Sequence, residues 1–369
     1  MSTLVVSDLH LGSRARADLL RSAAVRAPLI DALRDGIERL VLLGDALELR
    51  QGPLREALAA ARPFFAEAGA ALGPAGEIVL VPGNHDHALV APWLERRHRD
   101  GVPPPLGLAE TAAWVPSDPV ATLAEAATPA RLTLAYPGVW LRDDVYALHG
   151  HYLDRHITVP TLERLSAGAM ARIVGPLPEP CATPDDYERA LAPIYAWSTA
   201  LAQHADDDST GTHNVSVRAY RMLSGNGHRP LRRRALVALF PLTIAAVNRA
   251  GLGPVRADVS GAELGRAGVR AMGEAVQRLG IDAAHVLFGH THRAGPRDGD
   301  GGDWTTPRGV RLHNAGCWVY ERSFVSATPY ESPYWPGTAI RVDASGPPVP
   351  VRVLDGVGAA ELNRDAASY

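Results

Sequence analysis

Apolar and polar residues alternate between two kinds of pattern over residues 1–151. Short apolar runs rich in β-branched residues predict strands, at residues 3–7, 39–43, 77–81, 131–135 and 145–148. Two of the segments between them, 17–35 and 54–72, carry apolar residues at helical spacing and predict helices. This alternation predicts an α/β domain whose helices cover its sheet.

The alternation stops after residue 151 and resumes near residue 283. The residues between contain polar loops and predicted helices, near 185–204 and 260–279, so we expect an inserted helical cap over 152–282. Strands return at residues 285–288, 310–315, 338–343 and 349–354. The sequence therefore predicts a discontinuous domain, 1–151 and 283–355, and a C-terminal tail, 356–369.

Composition narrows the class of protein. The 369 residues are 46% hydrophobic and 21% charged, which is enough to bury the core of one large domain. All 37 basic residues are arginine, and they nearly balance 40 acidic ones, so overall charge gives no signal for nucleic acid. With two cysteines, no signal-peptide pattern and no apolar run of roughly 18 residues, we expect a cytoplasmic protein without a disulfide framework.

Five polar clusters each follow a strand-like apolar run directly. They are Asp8-Leu9-His10, Gly44-Asp45, Gly83-Asn84-His85-Asp86, His149-Gly150-His151 and Gly289-His290-Thr291-His292. Open α/β sheets place their sites at the carboxyl ends of strands, so position and chemistry agree. A lone Asp-x-His or Gly-Asp pair is weak evidence, but the two four-residue runs are much less expected by chance.

The side chains in these clusters suit a pair of metal ions. Imidazoles and carboxylates with one amide and no thiolate fit two divalent ions, Mn first, with Fe, Zn, Co or Mg as alternatives. Two such ions activate a bound water to hydroxide and clamp the oxygens of an in-line displacement at phosphorus. The sequence therefore predicts a dinuclear phosphoesterase with seven ligands, Asp8, His10, Asp45, Asn84, His149, His290 and His292.

The order of the clusters resembles that of the calcineurin-like metallophosphoesterases, which read D-x-H, G-D, G-N-H-[DE], H and G-H-x-H. The resemblance implies two stacked mixed β-sheets flanked by helices, a four-layer αββα sandwich. It also implies that Asp45 bridges the two ions. One ion would be held by Asp8, His10 and His292, and the other by Asn84, His149 and His290.

The same resemblance assigns catalytic roles to two further residues. His85 would protonate the leaving oxygen, and Asp86 would orient the His85 ring. Arg14 and Arg293 lie just beyond metal clusters and are candidates for binding phosphate oxygens, since a guanidinium matches them with two parallel bonds. Ordinary surface arginines are the alternative for both.

The insertion is where the sequence hints at a substrate. Residues 231–250 join an arginine cluster to an apolar stretch interrupted by Pro241, which predicts either a kinked core helix or a helix that contacts acyl chains or a membrane surface. Cap placement is similar to that of UDP-diacylglucosamine pyrophosphatases, which carry arginine where this chain has His85. The expected substrate is a phosphorylated small molecule or a lipid-linked one, with peripheral membrane contact through 231–250 in the second case.

Two other functions remain open at this point. A non-catalytic metal-binding scaffold would keep the fold but has no need of the complete ligand set together with His85. A nuclease would carry a basic stripe with interleaved aromatic residues, whereas the insertion has one short arginine cluster. The sequence does not indicate an oligomeric state.

Overall fold

Ten strands form one mixed, curled sheet in the computed structural model, which describes residues 1–99, 101–157, 181–203, 261–320, 332–358 and 362. The strands are β1 Thr3–Val6, β2 Arg39–Leu43, β3 Glu77–Val81, β4 Ala109–Thr111, β5 Arg131–Arg142, β6 Val145–Leu148, β7 His285–Phe288, β8 Arg311–Asn314, β9 Thr338–Val342 and β10 Val349–Arg352. Their order is β10-β9-β1-β2-β3-β5-β6-β7-β8, with β4 paired to β5 off this path. The α/β prediction is confirmed.

Strand β5 joins the two halves of the sheet. Its first residues pair parallel to β3, and its later residues, from Gly138 onward, pair antiparallel to β6. The sequence predicted a strand over residues 131–135, and Pro137 and Gly138 beyond it are residue types that are uncommon inside strands. The strand instead continues to Arg142, so that β1, β2 and β3 lie in one half and the parallel strands β6, β7 and β8 in the other.

Six α-helices are present in the described part of the chain: α1 Ala23–Arg34, α2 Leu54–Leu72, α3 Ala91–Arg99, α4 Pro119–Ala126, α5 Pro184–Gln203 and α6 Gly261–Arg278. Helix α1 begins later than the predicted residue 17, because Leu19–Arg21 forms a short 3-10 helix first. Helix α3 was not predicted, and it buries no residue fully, so it lacks the apolar periodicity that would have announced it.

Alternating residues of the strands enter different hydrophobic clusters. In β1, Leu4 and Val6 pack into a cluster with residues of α1, α2 and α4, whereas Val5 points into a second cluster. That second cluster also contains residues of the other half of the sheet, including Val145 and Leu287. Strand residues therefore face the helices on one side and a core shared by both halves of the sheet on the other.

Helices α5 and α6 pack on the second half of the sheet. Residues such as Leu191 of α5 and Met272 of α6 share a buried cluster with Phe288 of β7 and Leu312 of β8. The described parts of the predicted insertion therefore cover the sheet directly. Residues 231–250, with the predicted lipid or membrane contact, lie outside the described residues.

The predicted C-terminal tail contributes to the core. Its residue Leu362 is fully buried in the cluster that contains residues of α1 and α2.

Within the described residues, no helix combines the length and the apolar character that crossing a membrane requires.

Candidate metal centre

The loops that follow β1, β2, β3, β6 and β7 bring the seven predicted ligands together. Among the described residues, three groups of histidine and aspartate place ligand atoms within 4.8 Å of one another: Asp8, His10 and His292; His10, Asp45 and His85; and Asp45, His149 and His290. The seventh predicted ligand, Asn84, lies against the third group with its Oδ1 3.2 Å from His149 Nε2. These buried groups could hold metal ions.

Backbone strain is concentrated in the same loops. Six non-glycine residues in the described ranges have a positive φ, and five of them are predicted ligands: Asp8, His10, Asp45, His290 and His292. Their φ values lie between 46° and 65°, a region that is unfavourable for side chains with a Cβ atom. Such strain persists only where the surrounding structure enforces it, and it clusters at functional sites.

The glycines of the motifs are required by close packing against the predicted ligands. A Cβ atom at Gly83 would overlap the Asp45 carboxylate and the His149 ring, and one at Gly289 would overlap Asp8. Gly44 combines a φ of 82° with a contact that leaves no room for a Cβ beside His149. These glycines therefore allow the ligand side chains to lie directly on the neighbouring backbone.

The first predicted ion site contains three acceptor side chains in close contact. His292 Nε2 lies 3.2 Å from Asp8 Oδ1 and 3.2 Å from His10 Nε2. Asp8 is fully buried, and its Oδ1 accepts no hydrogen bond from the described residues, whereas its Oδ2 accepts two, from Ser7 Oγ at 2.6 Å and from the backbone N–H of His290 at 2.9 Å. A buried carboxylate oxygen without a donor is costly, and a cation is one group that would satisfy it.

The second predicted ion site is a set of converging acceptors. His149 donates from Nδ1 to the Leu43 carbonyl at 2.9 Å, so its Nε2 is the nitrogen that faces Asp45 Oδ2, at 3.3 Å. His290 contacts Asp154 through Nε2 at 2.9 Å, which leaves its Nδ1 facing Asn84. With the Asn84 oxygen turned inward, four groups that can bind a cation face one another. With its nitrogen turned inward, the amide lies 3.1–3.3 Å from the other three and its two N–H groups can donate to two of them at a time. A divalent cation would satisfy all four with the oxygen inward, so the residues fit a metal ion.

Three of the predicted histidine ligands have their outward nitrogens held. His149 is held by the Leu43 carbonyl, His290 by Asp154, and His10 by Glu48, whose Oε2 lies 3.2 Å from His10 Nδ1. A carboxylate or carbonyl on the far nitrogen fixes the tautomer and the ring orientation of a metal-binding histidine.

Protons on imidazoles balance the buried carboxylates. Burial opposes a charge on His10, but the hydrogen bond to Glu48 and the charge of Asp45 raise its pKa to about 9. Burial likewise opposes a charge on His149, and Asp45 raises its pKa to about 10. Against its own burial, Asp45 has a pKa held well below the usual value by His149 and His85. Divalent cations would displace these protons, because they bind the same lone pairs.

His85, the predicted general acid, is oriented by Glu48. The Glu48 Oε2 atom lies 2.8 Å from His85 Nδ1, and the backbone N–H of His85 donates to Asp45 Oδ1 at 2.8 Å. The prediction that Asp86 orients this ring is wrong. Glu48, three residues after Asp45, reaches the His85 ring. Asp86 is next to His85 in sequence, but its carboxylate accepts from backbone N–H groups.

Asp86 instead joins two loops of the site. Its fully buried carboxylate accepts hydrogen bonds from the backbone N–H groups of Gly83 at 2.6 Å and of Asp45, Ala46 and Leu47 at 2.8–3.2 Å. Burial and the charge of Asp45 raise the pKa of Asp86 to about 6. The residue therefore holds the loop that carries Asp45 against the loop that carries Asn84.

The arginine that reaches the predicted catalytic residues is Arg50. Its Nη1 lies 3.3 Å from His85 Nε2, and its Nε is buried without a partner among the described residues. Of the two arginines proposed from sequence, Arg14 contacts Glu56 at 3.4 Å. Arg293 donates to Asp300 at 2.5 Å and lies over the Trp304 ring, so its guanidinium already has partners outside the predicted metal site.

Sequence reasoning missed Glu48, Arg50 and Asp154. Glu48 carried a usable signal, because it is a single charge in the apolar stretch Ala46–Leu49 and lies three residues after Asp45. Asp154 lies in the 3-10 helix His151–Arg155 that follows the His149 loop, where no motif singles it out.

Comparison with known proteins adds no assignment. No protein-family model matches this chain, and no curated protein is similar enough to give a match. The function therefore has to be argued from the site itself.

Proposed function

We propose that this chain is a dinuclear metal-dependent phosphoesterase of the calcineurin-like metallophosphoesterase superfamily, acting on a phosphodiester, phosphomonoester or pyrophosphate bond. The observation that carries the proposal is the position of Asp45. Its Oδ2 lies 3.8 Å from His10 Nε2 in one ligand group and 3.3 Å from His149 Nε2 in the other. A single carboxylate oxygen that faces both groups is what a bridging ligand requires.

Two divalent ions are the proposed cofactors, with Mn first and Fe, Zn, Co or Mg as alternatives. Asp8, His10 and His292 would hold one, Asn84, His149 and His290 the other, and Asp45 both. When bound, the ions would supply positive charge and Lewis acidity for attack of water on phosphorus. The mixed nitrogen and oxygen donors and the lack of a thiolate among these residues support this choice of metals.

His85 is the proposed proton donor to the leaving oxygen. Glu48 holds its Nδ1, so Nε2 is the atom that would give up the proton. Burial lowers the pKa of His85 and Arg50 lowers it further, against the carboxylates of Glu48 and Asp45, and the net shift is downward. A lowered pKa makes the protonated ring a readier donor. Arg50 beside Nε2 would bind an oxygen of the same phosphoryl group.

We propose that the curled sheet is the two stacked sheets of a four-layer αββα sandwich. Support comes from the core shared by β1, β2, β3, β6 and β7, which lies between the two halves, and from the helices that pack on their outer faces.

The proposed substrate is a phosphorylated small molecule. The alternative is a lipid-linked substrate, whose lipid or membrane contact would be made by residues 231–250. We propose a cytoplasmic location, with membrane association only in the lipid-linked case.

The test is hydrolysis after metal removal and reconstitution. Metal-free protein would be loaded with Mn, Zn, Fe or Mg and assayed with p-nitrophenyl phosphate, bis-p-nitrophenyl phosphate, cyclic nucleotides and nucleotide-diphosphate lipids. We expect turnover that requires metal and is lost in Asp45→Asn. The matched control is Asp31→Asn, because Asp31 is an exposed carboxylate on α1 paired with Arg34. Metal-dependent turnover that survives in Asp45→Asn would contradict the proposal.

A second assay isolates the proton donor. General acid catalysis contributes about 10²- to 10⁴-fold, and more where the leaving alcohol is a poor leaving group. We therefore expect His85→Gln to slow hydrolysis of an alkyl phosphate far more than hydrolysis of p-nitrophenyl phosphate. Equal losses on both substrates would remove His85 from this role.

A further inference from the structure

The buried carboxylate of Glu188 holds helix α5 beside the site. Glu188 accepts hydrogen bonds from Tyr136 Oη at 2.5 Å and Tyr152 Oη at 2.7 Å, and it contacts His87 Nε2 at 3.0 Å. Tyr152 follows His149 by three residues, and His87 follows Asn84 by three. The helix is therefore joined to two of the loops that carry predicted ligands of the second ion site, those of Asn84 and His149.

Two turns along α5, Tyr195 faces the same region. Glu188 and Tyr195 are seven residues apart, which places them on one face of the helix. The Tyr195 ring meets the ring of His151 edge-on at 5.6 Å, and His151 lies 5.6 Å from the ring of His149. Tyr195 is 3% exposed, so it is a buried side chain beside the site.

Three residues beside the second ion site carry polar atoms that the described chain leaves without hydrogen bonds. They are the hydroxyl of Tyr195, both ring nitrogens of His151 and Oδ2 of Asp154, all buried. The other oxygen of Asp154 is bonded to His290. Buried polar atoms without partners are rare and costly in folded proteins, and a cluster of them beside a site indicates that a bound group completes it.

The hydrogen bonds that Tyr195 and Asp154 can make indicate which chemical group would bind beside them. Burial and the charges of Asp154 and Glu188 raise the pKa of Tyr195 well above its usual value, so it remains a hydroxyl. The unpartnered Oδ2 of Asp154 is a carboxylate oxygen, which matches a hydrogen-bond donor and not an acceptor such as a phosphoryl oxygen. A hydroxyl group suits both neighbours, because it can donate to Asp154 and accept from Tyr195.

We propose that Tyr195, His151 and Asp154 form a subsite that binds a hydroxyl group on the alcohol of the substrate. The substrate class is then a phosphate ester of a polyhydroxylated alcohol, such as a polyol or a sugar. The subsite rests on the proposed phosphoesterase function and narrows it. Tyr195 is the residue from the predicted insertion that selects the substrate.

The test uses two non-hydrolysable phosphonates that differ only in hydroxyl groups. Binding of dihydroxybutylphosphonate and butylphosphonate to the Mn-loaded protein would be measured by calorimetry. We expect the wild-type protein to prefer the dihydroxy compound by about tenfold, the equivalent of one well-placed hydrogen bond. In Tyr195→Phe this preference disappears, and butylphosphonate binds as it does to the wild type.

Thermal stability separates this role from a structural one. The Tyr195 hydroxyl has no partner to lose in the described chain, so Tyr195→Phe leaves the unfolding midpoint unchanged or raises it. The matched control is Tyr187→Phe on the same helix, because the Tyr187 hydroxyl lies 2.6 Å from His156 Nε2. The control lowers the midpoint and keeps the preference for the dihydroxy compound.

Three outcomes would overturn the subsite. If Tyr195→Phe keeps the wild-type preference, the unpartnered atoms serve only water, and if it weakens both phosphonates equally, Tyr195 contacts the phosphoryl group. Either result leaves the phosphoesterase proposal standing, provided that the wild-type protein hydrolyses bis-p-nitrophenyl phosphate. A metal-loaded wild-type protein that hydrolyses nothing and binds neither phosphonate would remove the function and the subsite together.

Discussion

The carboxylate of Glu48 lies 2.8 Å from Nδ1 of His85, the predicted proton donor. The same Oε2 atom lies 3.2 Å from Nδ1 of His10, a predicted metal ligand. One buried carboxylate therefore orients a ring that would bind metal and a ring that would transfer a proton. It also fills the role that the sequence had assigned to Asp86.

Glu48→Gln should weaken both functions. Both rings contact Oε2, and Oε1 accepts from the backbone N–H of Arg50 at 2.9 Å, so the amide nitrogen must face either both rings or that N–H. We expect kcat and metal affinity each to fall by about 10- to 100-fold, as is typical when a residue that orients a metal-binding histidine is changed. The measurements are steady-state kinetics and calorimetric titration with Mn. Glu38→Gln, at an exposed carboxylate that accepts from the N–H of Ser2, is the control and should behave as wild type. Unchanged kinetics in Glu48→Gln would contradict this role.

Gly83→Ala should damage the metal site without adding any charge. The new methyl group would overlap the Asp45 carboxylate and the His149 ring, so one of the two must move. We expect Mn affinity to fall by at least about tenfold, measured by titration of the metal-free protein. Gly301→Ala is the control, because a Cβ there meets no atom within 4 Å. Wild-type affinity in Gly83→Ala would show that the ligands are less tightly placed than the structure indicates.

Glu188→Gln should loosen helix α5. The carboxylate accepts from two tyrosine hydroxyls and contacts His87, and an amide would turn donor hydrogens towards at least one of them. Hydrogen bonds to a charged group contribute about 1.5–3 kcal/mol each, so we expect the free energy of unfolding to fall by about 3 kcal/mol. Denaturant unfolding would measure it. Glu274→Gln, which removes an exposed pair with Arg278, should change it by less than about 1 kcal/mol. Equal effects of the two substitutions would contradict the structural importance of Glu188.

The His285 and His313 pair predicts a pH dependence away from the metal site. Nδ1 of His285 lies 2.9 Å from Nε2 of His313, and burial, with the charges of His285 and Arg311, lowers the pKa of His313 from 6.5 to about 4. The folded state therefore excludes a proton that the unfolded chain binds below pH 6.5. Stability contributed by neutral His313 is complete above pH 6.5 and is lost as pH falls towards 4, by about 3 kcal/mol.

Unfolding of the wild type and of His313→Gln over this pH range measures the effect. The variant should lose less stability between pH 6.5 and 4 than the wild type does. The same slope in both proteins would contradict the lowered pKa of His313.

The sequence predicted the strands that lead into the candidate site better than the elements around them. Strands 39–43, 77–81, 145–148 and 285–288 were predicted to the residue, because each is a buried apolar run that ends at a polar motif. The candidate ligands could be brought together from sequence because their motifs follow strand ends, where a parallel sheet gathers side chains.

What the sequence missed depends on tertiary contacts. Glu188 and Asp154 act through partners 52 and 136 residues away, and neither periodicity nor spacing reveals such pairs. The partner of Glu48 is 37 residues away, and only its isolated charge near Asp45 marks it in the sequence. Strand β4 has three residues and is largely exposed, so its pairing with β5 leaves no hydrophobic pattern. Strand β5 was predicted too short, because Pro137 and Gly138 suggest a turn where the chain passes between the two halves of the sheet.

The central claim, a two-ion site bridged by Asp45, is tested most directly by counting metal ions. Metal-free protein would be titrated with Mn²⁺ in a calorimeter, in two buffers with different enthalpies of ionisation. We expect two ions per chain, with release of protons below pH 9, because the pKa of His10 is about 9 and that of His149 about 10 before metal binds. Asp45→Asn should lose tight binding of at least one ion. Binding of no ion, or the same two-ion binding in Asp45→Asn, would contradict the account.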